Sequence, residues 1–164
     1  MNVVSDASPL INLSRIGRLA LLPELYQQVT VPEAVWQEVV VDGAGQPGAS
    51  EIETAHWIRR QQIVNTLLVR ALGQELDPGE AEAIVLALEM EDSLLLMDER
   101  LGRAMAQHLG VRMIGLIGVL IEARHKGLIS DLEAEFDTLR NLAGFRLSQA
   151  LCDVILREFE DPNP

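Results

Sequence analysis

Short aliphatic stretches recur along the chain at NVVS (residues 2–5), QQVTV (27–31), IVNTL (63–67), SLLLM (93–97) and VRMIG (111–115). The segments between them place apolar residues at the i, i+3, i+4 spacing of helices. This alternation predicts an α/β fold, a central parallel sheet of four to five strands between helical layers. From Ile117 onward only helical spacing remains, so the carboxyl-terminal portion is expected to be helical.

Local signals place the helix ends. Ser8-Pro9 reads as a serine cap with proline at the first helical position, Pro32 opens a helix, and Asp77-Pro78-Gly79 opens another. Ser50 with Glu53 and Ser130 with Glu133 match capping boxes, and Gly127 closes the helix before the second of these. VDGAGQPGAS (41–50) reads as a mobile loop, since too few residues precede it to make a domain. Residues 1–160 are therefore expected to form one domain and 161–164 a disordered tail.

Two of the strands end in an aspartate. Asp6 follows NVVS, and with the cap assigned to Ser8 it is left projecting from the carboxyl end of its strand, the edge where open parallel sheets bind ligands. Asp98 follows SLLLM in the same way, ahead of a helix that opens with Arg100 and Arg103. In VPEAVWQEVV the stripe Val31, Ala34, Val35, Val39 carries Glu38 with it, so Glu38 is expected to face inward. In the helix after Asp77, Ile84, Val85 and Leu88 form the buried stripe and Glu80 lies one turn before Ile84. Glu82, roughly 200° around from Glu80, is expected to meet solvent. Two strand-end aspartates with inward glutamates on intervening helices predict a shared acidic cleft, and crowded carboxylates call for a cation. Oxygen donors without His or Cys suit Mg²⁺ or Mn²⁺ rather than zinc.

Composition changes the picture in three ways. With 48% hydrophobic but only 4% aromatic residues, the core must be aliphatic. Cys152 is the only cysteine, which rules out an internal disulfide and fits a reducing cytoplasm; apolar runs such as AIVLAL are too short to span a bilayer, so no membrane partner is expected. A net charge of −12, from 25 acids against 13 bases of which Lys126 is the sole lysine, excludes a broad basic surface, so any phosphate contacts must concentrate near the cleft.

The stretches SDASPLI, VPEAVWQEV, DPGEAEAIVLALE, LLLMDERLGR and GLIS…GFRLS together resemble the PIN-domain family, in particular the small prokaryotic branch related to VapC-type toxins, and the resemblance covers most of the chain. It implies a three-layer α/β/α PIN-like fold and a metal-dependent ribonuclease, often dimeric and often neutralised by a small antitoxin protein. Carried across, the family's four acidic positions fall on Asp6, Glu38, Glu80 and Asp98. Position 80 departs from the commoner Asp, with Glu82 as the possible substitute ligand. Asp6, Glu80 and Asp98 would hold one or two Mg²⁺ or Mn²⁺ ions for hydrolysis of an RNA phosphodiester, with Glu38 acting through bound water. Ser8, the small hydroxyl residue after the first Asp, and the forked guanidinium groups of Arg100 and Arg103 are the candidate substrate contacts.

Other readings are weaker. A haloacid-dehalogenase-like phosphatase would need Asp at position 8, where Ser stands, and a receiver domain would need an acid in IVNTL. His56, His108 and His125 lack metal-ligand spacing, and Trp36 and Trp57 read as packing residues. The remaining rival is a catalytically weak or inactive PIN-like interaction or regulatory module.

Overall fold

The computed structural model describes residues 1–160, so the expectation for 161–164 lies outside the described residues. Five strands, β1 (Asn2–Ser5), β2 (Val29–Pro32), β3 (Ile58–Gln61), β4 (Ser93–Leu96) and β5 (Met113–Ile114), form one sheet in the order β3-β2-β1-β4-β5. Every neighbouring pair is parallel. The register is fixed by Asn2 opposite Ser93 through Ser5 opposite Leu96, and by Val29 opposite Ile58 through Pro32 opposite Gln61.

Strand alternation divides the core into two layers. Val3 and Leu96 point to one face, where Leu10 and Leu13 of α1 (Ala7–Arg15), Leu22 of α2 (Leu21–Tyr26), Leu120 of α8 (Leu116–His125) and Phe136 of α9 (Leu132–Leu142) are buried. Val4 and Leu95 point to the other, against Leu72 of α5 (Thr66–Leu72), Ile84 of α6 (Pro78–Glu89) and Ala106 of α7 (Arg100–His108). This is the expected three-layer α/β/α arrangement. The carboxyl-terminal α10 (Gln149–Glu160) adds Cys152 and Ile155 to the first layer, and the described residues from α8 onward are helical or loop.

The third strand corrects the sequence reading. IVNTL is not a strand: Asn65 caps α5, its side chain accepting the Leu68 amide at 3.0 Å, while Glu89 accepts the amides of Val64 and Asn65. The strand is Ile58–Gln61 instead, at the sheet edge with Arg59 and Arg60 exposed, so it carries no apolar alternation to read. Helix starts also move. The cap position of α1 is Asp6, with Ser8 and Pro9 already inside the helix; α4 (Ala49–Thr54) follows Gly48, so Ser50 is internal; and Asp131, not Ser130, caps α9, accepting the Ala134 amide at 3.1 Å. α6 starts as expected, with a reciprocal capping box between Asp77 and Glu80, and Gly127 takes a positive φ of 73° directly after α8. α6 is buried almost all round, sandwiched by its neighbours, whereas Leu88 is 41% exposed and does not join its buried stripe. Among the described residues no helix is long and apolar enough to cross a membrane.

Candidate active site at the carboxyl edge of the sheet

Chain direction alone picks out a crevice. β2 and β3 are laid down on one side of β1, and β4 and β5 on the other, so the connections part at the carboxyl ends of β1 and β4. In open parallel sheets that parting is where ligands bind. Asp6 stands there, its amide donating to the Leu96 carbonyl at 3.0 Å as an extension of the ladder. Although Asp6 occupies the cap position of α1, its side chain makes no cap hydrogen bond. The carboxylate projects, as expected, but not because serine displaced it.

The side chains beside Asp6 enclose a cleft of about 320 Å³, lined by Ser8, Asn12, Glu38, Asp77, Glu80 and Glu99, with Arg15 as the basic side chain at its rim. Gly79 stands beside its carboxylates. A side-chain carbon there would stand 3.5 Å from Asp6 Oδ1, Asp77 Oδ1 and Glu38 Oε1 alike. Glycine at the second position of α6 thus leaves open the point on which three carboxylates from three segments converge.

Glu38 arrives by a route its sequence did not advertise. α3 (Glu33–Trp36) is a single turn that passes directly into a π-helical segment, Gln37–Asp42. The wider i→i+5 turn buries Val39 and Val40 and leaves Glu38 exposed as a residue, its carboxylate over the cleft rather than in the core. Such π-segments recur at functional sites.

The electrostatics are those of crowded, partly dehydrated anions. Burial pushes the Asp6 carboxyl up to about 7, opposed by the Ala7 amide and reinforced by Asp77, Glu80 and Glu38. Burial likewise raises Glu38, helped by Asp77 and Asp42. It raises Glu80 too, against the Asp77 amide that its carboxylate accepts.

Asp98 stands at the matching end of β4 but faces a second, adjoining cleft with Ser8, Asn12, Glu99 and Arg100. Its Oδ1 accepts the Leu116 amide at 2.9 Å, while its Oδ2 is buried without a hydrogen-bond partner among the described residues. Burial raises its carboxyl, countered by the Leu116 amide and the nearby Arg103 charge. Ser8, Asn12 and Glu99 line both clefts, so the two are continuous.

The remaining candidates separate. Glu82 does not line the cleft of Asp6: its carboxylate accepts the Ala34 amide at 3.3 Å, and it lies half-buried in a separate surface cleft with Glu33, Gln62 and Thr66, away from the position of a substitute ligand. Arg103 is half-buried and donates to the Met97 carbonyl at 2.8 Å, which occupies one arm of its fork, whereas Arg100 is exposed at the second cleft. Asp77 and Glu99 are cleft carboxylates that the pattern reading left out. The signal for Asp77 was present, because a capping aspartate one turn from an inward-facing Glu80 must share its surroundings.

Among the described residues, no three His, Cys, Asp or Glu side chains form a ready ligand set for a metal ion. The donor chemistry nonetheless fits a hard divalent cation. The donors are all oxygens, three converge on one glycine, Asp98 keeps an unpartnered oxygen, and the cleft's charge is uncompensated except by Arg15. A family model described as PIN domain matches residues 2–161. The chain belongs to the PIN domain family. PIN domains are generally nucleases and typically use divalent metals. Comparison with curated proteins and with solved structures returned no match.

Proposed function

We propose that this PIN domain is a Mg²⁺- or Mn²⁺-dependent ribonuclease that hydrolyses RNA phosphodiesters, acting as the toxin of a toxin–antitoxin pair. The observation that carries the nuclease reading is the convergence of Asp6, Glu38 and Asp77 on Gly79 at the parting of the strands. Asp6 and Glu80 would hold the cation, with Asp98 supplying its unpartnered Oδ2 from the adjoining cleft. A bound divalent ion there supplies Lewis-acid activation of water and neutralises charge that would otherwise repel a phosphate. Glu38 and Asp77, which line the cleft beside Asp6, would accept a proton from an attacking water, and Ser8, which lines both clefts, would meet the substrate.

Calorimetric titration with Mn²⁺ and cleavage of a single-stranded RNA test this together. The wild type should take up Mn²⁺ and cut only with the metal, and Asp6→Asn should lose both. A protein that binds neither metal nor RNA is the non-catalytic interaction module instead. The toxin role and the homodimer rest on the resemblance of the sequence; outward-facing Leu151 and Val154 of α10 are compatible with self-association. Growth arrest on expression, its relief by a co-expressed partner and light scattering test those two parts.

A further inference from the structure

The GFRLS segment that follows α9 has no part in the acidic cleft, yet its Gly144, Phe145 and Arg146 line the adjoining cavity of about 680 Å³ together with Asp98 and Arg100. The floor is Ser8 and Asn12, which also line the cleft of Asp6. Arg100 and Arg146 are both exposed, and neither makes an ion pair or side-chain hydrogen bond among the described residues. Arg18, Arg60, Arg112 and Arg140 are each held by a carboxylate, and of the arginines without an ion pair among the described residues Arg100 and Arg146 are the two that line this cavity. In a chain of net charge −12, two guanidinium groups lining one cavity beside a run of carboxylates mark where an anion belongs.

We infer that this second cleft is a subsite for single-stranded RNA, in which Arg146 and Arg100 hold the backbone phosphate that follows or precedes the scissile one. The inference rests on the nuclease reading above and adds to it a position for the rest of the strand. The two clefts share a floor, so an extended strand passes from one to the other without leaving the surface, and successive phosphates along a groove are what paired guanidinium forks recognise. A protein partner is the alternative occupant, but a cavity opening directly onto the catalytic carboxylates is filled by substrate while the enzyme works.

The test is binding of a fluorescent 12-nucleotide oligouridylate to metal-free, full-length protein across a salt series. Arg146→Ala should weaken binding about fivefold, and Arg146→Lys should restore most of it. Arg100→Ala with Arg146→Ala should reduce the magnitude of the log–log salt slope by about 0.7, the contribution of one single-strand phosphate contact. Thermal stability should be unchanged, since neither side chain is buried or paired. Unchanged affinity and slope in the double variant overturn the subsite, and a protein partner captured through Arg146 then accounts for the cleft. The two readings fail separately: if Mn²⁺ uptake and cleavage are lost in Asp6→Asn while the arginine variants bind normally, the nuclease stands without this subsite. If the wild type cuts nothing but its RNA binding still depends on Arg146, the subsite stands without the nuclease.

Discussion

Asp6 and Asp98 leave adjacent parallel strands at the same edge, tied by the bond from the Asp6 amide to the Leu96 carbonyl, yet their carboxylates face different chambers of a shared crevice. Asp98 is held away by the Leu116 amide, and Asp6 is left among like charges. The like charges around Asp6 repel one another, and a cation bound between Asp6 and Asp98 would have to draw the two chambers together.

That repulsion has a pH signature. The Asp6 carboxyl is raised from 3.8 to about 7, so between those values the folded state binds a proton that the unfolded state has lost. Its contribution to stability is therefore greatest in acid and disappears as pH climbs through about 7. Without metal, Asp6→Asn should raise the melting temperature at pH 8 by on the order of 5 °C and flatten the profile between pH 4 and 7. Added Mn²⁺ should raise the wild-type midpoint and leave that of the variant alone. Calorimetric scans over pH provide the measurement.

Gly79→Ala separates stability from binding. The new methyl would meet the three carboxylate oxygens at ordinary contact distance, and alanine is the better helix former by about 1 kcal/mol. The variant should fold at least as stably as the wild type and take up Mn²⁺ at least tenfold more weakly, read by circular dichroism and calorimetry.

Asp77 has two duties that substitution can split. Its side chain accepts the Glu80 amide at 2.8 Å and also faces the cleft. Asp77→Ser keeps a cap, so stability should stay within about 0.5 kcal/mol, whereas Asp77→Ala should cost about 1 kcal/mol. Both remove a negative neighbour and should lower the Asp6 carboxyl, seen by NMR titration.

Arg103 should behave as a structural residue rather than a substrate grip. Arg103→Ala removes the bond to the Met97 carbonyl, costing about 1 kcal/mol, and withdraws the charge that lowers Asp98, so that carboxyl should rise further. Its RNA salt slope should match the wild type, in contrast to the Arg100 and Arg146 variants.

What the chain disclosed follows from how strongly each feature is written in local chemistry. β1, β2 and β4 carry apolar runs because they lie within the sheet, and the edge strand β5 keeps Met113 and Ile114 half-buried, whereas the other edge strand, β3, presents Arg59 and Arg60 to solvent and was not legible. Asp6 and Asp98 were readable because a strand end fixes where they project. Glu38 was placed on an α-helical wheel, and the π-helical turn alters that periodicity. Glu82 was a matter of which neighbour reaches it, and the Ala34 amide is forty-eight residues away in sequence. Cap positions slipped by one or two residues where several serines and aspartates competed for the same role.

The pairing of β1 with β4 joins residues about ninety positions apart, Asn2 against Ser93, and the second cleft draws in Arg146 from later still. During synthesis, the strand bearing Asp6 therefore waits unpaired on that side while most of the protein emerges. A nascent chain that ends before β4 holds Asp6 but neither chamber, because both need residues made later. The long-range topology acts as a delay, completing the acidic edge only after β4 and the segment following α9 have been synthesised.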